Sequence, residues 1–502
     1  SRRLSYEHPL SQIYEGKYVI HIFSGRDVSL NFLQDRRWWL AFFGVGLLMN
    51  GLAIVNSDLG LDVHVRLNVV NDDSNAGSDY PWGPTRWSDS DVQEPVSSGE
   101  YEGYIGPWYA SVIAIQITSF VSLVMLSLLA GYIPRWRRDV ESIPFDPMWS
   151  ALVAWSPCLM FATGRGYDEA ILALILALSV GWLCFVDGSK TRHLRFGILM
   201  MATSVMCILG WKGFAPPTAL LVWLGVLLVG NLWLFIDERF SKTADIPITQ
   251  RPWLMSSGMF CLTLAAITFV GWLGYGGTFS IVEDYPLLFL LSIPFAFIDG
   301  IGLFLLVGFC LWPFVTSRFK FPSPTGRQIT MVACFISILG AGMVAYIGAL
   351  WTLESQLWNI SIFQCMILLG NNGRYATILV LPVIMLLHLS HPVSIESKPS
   401  NIETVPSQSM FIALLLLLPI VMFTGFHGQQ LWQEDAGSAL ADVLDRDEQS
   451  FLLVAEESLA MHSLYVLKTN VDLDGTANIE GHWRSPGLAE AFLNSSNVDA
   501  LL

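Results

Sequence analysis

The chain reads as an all-α polytopic membrane protein of about eleven transmembrane helices, with a large first extracytoplasmic loop and a small mixed extracytoplasmic C-terminal domain. Three observations predict this. Of 502 residues, 53% are hydrophobic and 14% charged, where soluble chains carry roughly 25% charged residues; the mean hydropathy is +0.51. The apolar residues fall in continuous runs of about 20, the length that crosses a bilayer core as helix, rather than in the alternation of a β-barrel. Basic clusters fall on alternate connections, so one orientation satisfies the positive-inside rule.

Taken in order, residues 1–37 form a cytoplasmic N-terminal segment ending in Asp35-Arg36-Arg37, too polar for a signal peptide. The transmembrane region is 38–426. Run 38–55 leads out to the loop 57–107, and run 108–133 returns to Arg135-Trp136-Arg137-Arg138. Run 148–163 exits to Gly164-Arg165-Gly166-Tyr167-Asp168-Glu169, and 170–186 comes back to Lys190 and Arg195. Run 196–211 exits at Lys212, 217–236 returns to Arg239, Lys242 and Arg251, and 253–274 exits to a segment holding Glu283. Stretch 287–315 is too long for one straight span and too short for two; Pro294 and Asp299-Gly300 interrupt it, so a long kinked helix is expected. It ends at Arg318, Lys320 and Arg327, after which 329–352 exits, 375–390 returns and 410–426 exits again. The tail, 427–502, carries thirteen acidic residues against Arg446, Lys468 and Arg484 and reads as mixed or β-rich, of marginal size alone. The N-terminus is thus cytoplasmic and the C-terminus extracytoplasmic, in a plasma or ER-type membrane.

Several function classes drop out. A net charge of −15 argues against a nucleic-acid partner. There is no P-loop and no glycine-rich turn after a strand, which argues against an ATP-driven pump or a soluble nucleotide-sugar domain. The seven cysteines lie in or beside apolar runs without CxxC or Cys/His metal spacing, as packing residues do.

The informative residues are charges at the outer edges of the runs, because a charge at a span centre costs roughly 2.5–3.5 kcal/mol. The first loop holds ten carboxylates against Arg66 and Arg86. Asp62, beside His64 and Arg66, opens it; its carboxylate suits a general base or a metal ligand, or else caps a helix. In the glycine-flanked turn, Asp168 or Glu169 can do chemistry or simply favour a helix N-terminus, with Arg165 beside them. Arg374-Tyr375 opens a later run, where the arginine can take a phosphate bidentately or anchor the interface. Lys212 can neutralise a phosphate or snorkel, and Glu283 is a weaker candidate. Asp299 suits a proton or ion site or a helix break.

Three features together resemble the GT-C superfamily of integral-membrane glycosyltransferases. Asp62-Val63-His64-Val65-Arg66-Leu67 followed by Tyr80-Pro81-Trp82-Gly83 is similar to the first loop of oligosaccharyltransferase catalytic subunits. Asp168-Glu169 stands where those enzymes carry a second acidic group at the outer start of a helix. Arg374-Tyr375 with Pro382 is similar to a segment of the protein-mannosyltransferase and aminoarabinose-transferase branches. The tail has no Trp-Trp-Asp-Tyr-Gly, which argues against a sequon-reading oligosaccharyltransferase. Gly-Tyr-Asp-Glu in place of Asp-x-Asp leaves a metal requirement open.

The resemblance implies a sugar donor on a polyprenyl (dolichyl) phosphate in the membrane lipid and a protein, lipid or glycan acceptor. Asp62, Asp168 and Glu169 would be catalytic, with Asp62 and Asp168 as ligands should a divalent cation (Mg or Mn) take part. His64, Arg66, Arg165, Lys212, Glu283, Arg374 and Tyr375 would bind substrate. The rival from another class is a secondary transporter or flippase of a lipid-linked or anionic substrate. It predicts internal repeats and mid-membrane charges, and the sequence shows no repeat and only Asp299 at mid-span.

Overall fold

The computed structural model describes residues 35–502 except 65–66, 68–110, 134–144, 186–189, 213–215, 243–246, 276, 305–325, 358, 370–372, 390–406, 445–447, 456–459, 474–475, 485 and 496. The N-terminal segment to residue 34, Arg66 and nearly all of the acidic loop, including Tyr80-Pro81-Trp82-Gly83, lie outside the described residues.

The chain is a helical membrane protein. Its first two helices are α1 (Arg36–Asn56) and α2 (Val112–Tyr132). Next come α3 (Pro147–Ala154), α4 (Pro157–Gly164), α5 (Glu169–Phe185), α6 (Thr191–Trp211), α7 (Pro216–Phe240) and α8 (Pro252–Trp272). Then α9 (Pro286–Phe297) runs into a π-helical turn, Ile298–Gly302, followed by α10 (Arg327–Leu357), α11 (Ile362–Leu369), α12 (Val380–Leu389) and α13 (Ser407–His427). By length and composition, seven of these can cross a membrane: α1, α2, α6, α7, α8, α10 and α13. Only 17% of the apolar stretch of α7 and 11% of that of α8 is buried in the protein. Continuous apolar surface of that extent is lipid-facing.

The other expected spans take different forms. The run 148–163 is broken, because Pro157 has no N–H to donate and disfavours helix at Ser156. The break frees the Ala154 carbonyl, and Asn50, fully buried on α1, donates Nδ2 to it at 2.7 Å. Helix α5 has 17 residues. Of the stretch 287–315, where a long kinked helix is expected, Pro294 lies inside α9 and Asp299 in the π-turn, and residues 305–315 lie outside the described residues. The run 375–390 is helical to Leu389 and, from Gly373 on, meets α11 at a bend of 75°.

Helices α1 to α6, α12 and α13 share the main core, around Trp149, Leu123, Leu126 and Leu381. A second cluster, around Trp351, Ile347 and Ala296, packs α9 and α11 on α10. Four elements are tied together around Asp237, which is 0% exposed. Its Oδ2 lies 2.7 Å from Arg327 Nε, while the Thr249 hydroxyl and Gln250 Nε2 donate to Oδ1 at 2.5 and 3.1 Å. Arg327 Nη2 donates to the Thr191 hydroxyl at 3.3 Å, tying α6, α7 and α10 to the turn at 248–250. At the opposite end α1 is joined to α13. Asn56 Nδ2 donates to the Gly425 carbonyl at 3.0 Å, and the Leu431 N–H donates to Asp58 Oδ2 at 2.6 Å.

The tail is a mixed unit rather than a β-rich one. Helix α14 (Trp432–Val443) is followed by β1 (Ser450–Val454), α15 (Ala460–Asp472), β2 (Glu480–Arg484), α16 (Pro486–Ser495) and β3 (Ala500–Leu501). The three strands are parallel in the order β2-β1-β3, with Leu452 opposite His482 and Leu501. Parallel strands need crossover connections, here α15 and α16. Leu440, Phe451, Leu453, Leu464, Leu467 and Trp483 form its core.

Candidate active site

Three separate stretches bring charge to one place. A helical turn at 61–64 carries Asp62, the first residue of α5 is Glu169, and a short helix, Gly373–Ala376, carries Arg374. Arg374 Nη2 lies 3.8 Å from Asp62 Oδ2, and Nε lies 3.8 Å from Glu169 Oε1. Glu169 is 2% exposed and Arg374 11%, whereas Asp62 is 37% exposed.

Glycine makes this approach possible at two positions. The Gly60 N–H donates to the Arg165 carbonyl at 2.8 Å, and a Cβ on Gly60 would stand 2.3 Å from Tyr167 Cζ. Gly166 has φ +71°, and a Cβ there would meet Ile115 Cγ2 at 2.7 Å. The two-glycine turn is therefore a seat for the start of the first loop.

Arg374 lies between aromatic rings. Its Cζ is 3.9 Å from the Tyr167 ring centroid and 4.7 Å from that of Tyr375, and Nη2 donates to the Tyr375 hydroxyl at 2.9 Å. Nε and Nη1 are buried without a hydrogen-bond partner among the described residues, as is Glu169 Oε2. A buried arginine with donors to spare can take a further anion.

The acidic doublet divides its work. Asp168 Oδ1 accepts from Lys212 Nζ at 2.6 Å and Oδ2 from Trp211 Nε1 at 2.5 Å, so it fastens the start of α5 to the end of α6. Glu169 is the member that faces Arg374. Lys212 is correspondingly engaged with Asp168. Glu283, on the turn Ile281–Asp284, is exposed and packs against Gly274, without an ion pair among the described residues. A cation held by Asp62 and Asp168 does not fit this arrangement: Asp168 is bound to Lys212, and Asp62 faces Arg374 and His462. Among the described residues no three His, Cys, Asp or Glu side chains gather as metal ligands do.

Sequence reasoning missed the contribution of the tail. His462, near the start of α15, places Nε2 3.6 Å from Asp62 Oδ1. Burial holds this imidazole below its ordinary range, with the Asp62 charge pulling the other way. His64, 1% exposed, turns away from Asp62, and its Nε2 lies 2.8 Å from Glu434 Oε1 on α14. Asn470 of α15 donates to the other oxygen of Glu434 at 2.7 Å. Burial raises the Glu434 carboxyl, but the His64 contact and the Asn470 bond outweigh it and hold it below its ordinary range. His64 is thus a strut between loop and tail. Nothing in the sequence links residues 62 and 462; only the βαβ crossover brings them together.

A half-exposed carboxylate beside a buried guanidinium can take a proton from a nucleophile while the cation holds an anionic group. No protein-family model, curated protein or solved structure matches this chain, and its function rests on the chemistry of this site.

Proposed function

We propose that the chain is an inverting membrane glycosyltransferase of GT-C type, moving a sugar from a polyprenyl (dolichyl) phosphate to an acceptor on the extracytoplasmic face. The observation that carries this reading is the pairing of Asp62 with Arg374, whose Nε and Nη1 have no hydrogen-bond partner among the described residues. The nucleophilic oxygen or nitrogen of a protein, lipid or glycan acceptor attacks the anomeric carbon from the side opposite the phosphate. The bond from that carbon to the phosphate oxygen breaks, its electron pair goes to the lipid phosphate, and the acceptor proton goes to Asp62. Arg374 meets the charge that develops on the leaving phosphate, the kind of fixed electrostatic stabilisation that dominates many rate enhancements. Glu169 keeps the guanidinium oriented.

In this reading the chain crosses the membrane eleven times, with the N-terminus cytoplasmic. Asp62, Glu169, Arg374 and the tail then share the outer side, where the acidic loop and the tail position the acceptor. The test is transfer from a panel of radiolabelled polyprenyl-phosphate sugars in membranes expressing wild type or Asp62→Asn. Label reaching an acceptor with wild type alone supports the reading. If no donor is used and reconstituted vesicles instead carry a lipid-linked or anionic substrate across the bilayer, a transporter takes its place.

A further inference from the structure

Tyr167 touches both halves of the proposed site with one ring. Its face carries the Arg374 guanidinium, 3.9 Å from the centroid. Its hydroxyl edge abuts Gly60, where a single added carbon would stand 2.3–2.4 Å from Cζ, Cε1 and the hydroxyl oxygen. Asp62 follows two residues later on the same turn. The ring cannot easily retreat, because Phe161 stacks on it at 6.4 Å and 28°. On its other side Arg374 is held by Tyr375, which stands edge-on to Tyr346 at 5.7 Å and 89°. The guanidinium therefore has one nitrogen committed to Tyr375, and Nε and Nη1 keep a fixed direction.

We infer that Tyr167 is a positioning residue that sets the separation between the Asp62 carboxylate and the Arg374 guanidinium, and so where a lipid-borne phosphate is held. This rests on the reading of Asp62 and Arg374 given above. A cation over a buried aromatic face is held strongly enough that losing the face changes affinity about tenfold. The hydroxyl is secondary, because the ring itself makes both contacts.

The experiment uses the purified full chain in one detergent, with two readouts: binding of dodecyl phosphate by calorimetry, and sugar transfer. Tyr167→Leu is expected to bind dodecyl phosphate about tenfold more weakly and to lower kcat as well. Tyr167→Phe stays within about twofold of wild type, since it keeps the face that carries the cation. Gly60→Ala, which drives a methyl group into the same ring, imitates Tyr167→Leu. The double variant is no worse than Tyr167→Leu alone, because the ring that the methyl would strike is gone; two unrelated structural losses would add. Unchanged dodecyl phosphate affinity in Tyr167→Leu overturns the inference, as does additivity in the double variant. A wild type that binds no dodecyl phosphate overturns it together with the transferase reading. Binding that follows this order without sugar transfer upholds the positioning role and removes the transferase reading.

Discussion

Removing Arg327 should harm the protein more than removing Arg327 and Asp237 together. Asp237 is 0% exposed and faces the Arg327 guanidinium at 2.7 Å, with two further donors on its other oxygen. In Arg327→Met a carboxylate stays buried without its counter-ion, a loss of about 3–5 kcal/mol. Asp237→Leu leaves a cation that is 15% exposed at the first residue of α10 and close to solvent; with Thr249 and Gln250 also losing an acceptor, the cost is about 1–3 kcal/mol. In Asp237→Leu/Arg327→Met no charge is stranded, and only the two neutral donors are left short, about 1–2 kcal/mol in all. The coupling between the two sites is therefore at least about 2 kcal/mol. Unfolding by sodium dodecyl sulfate in mixed micelles, followed by tryptophan fluorescence, measures all four proteins on one scale. A double variant as unstable as Arg327→Met, or an Arg327→Met within about 0.5 kcal/mol of wild type, would refute the idea that a desolvated charge is being neutralised.

Three more expectations follow from contacts described above. His64→Ala takes the strut from Glu434, so amide exchange in α14 should speed up by the equivalent of about 1–3 kcal/mol while that of α1 stays put; equal exchange in α14 would show that the strut holds nothing. Burial holds His462 and His482 below the ordinary 6.5, so below that pH the unfolded tail binds more protons than the folded one. Its stability should be full above about 6.5 and fall as pH drops through that value, with a second loss below the ordinary 4.5 of Glu434, whose carboxyl is also held down. A flat exchange profile for β1 down to about pH 5 would contradict the sign. Asn50→Leu keeps the volume but strands the Ala154 carbonyl, at about 1–3 kcal/mol in the same micelle assay; an unchanged midpoint would mean that another donor reaches it.

The long helices were legible because an apolar run with a basic end has one reading in a bilayer. Run 148–163 was not, since Ser156 and Pro157 interrupt hydrogen bonding without lowering hydropathy enough to show. Asp62, Glu169 and Arg374 stood out because charge at an apolar edge is costly. Which of Asp168 and Glu169 faces Arg374 was illegible: neighbours on a helix point about 100° apart, and the packing of α5 on α6 decides. Asp237 and Arg327 looked like ordinary inner-loop charges, and their pairing depends on helices 90 positions apart in the chain coming together. The tail's strands could be read from Phe451–Val454, but not that they run parallel, because register and direction are set by crossover helices that periodicity does not reveal.

The bonds between the C-terminal ends of α1 and α13 join residues 369 and 373 positions apart, and Asp62 meets His462 across a similar distance. These partners leave the ribosome far apart in time. While α13 and the tail are unmade, Asn56 lacks Gly425, Asp58 lacks Leu431 and Asp62 lacks His462. Contacts of such long sequence separation close last. The turn that carries Asp62 therefore takes its finished shape only after a segment far downstream has been made and has packed against it.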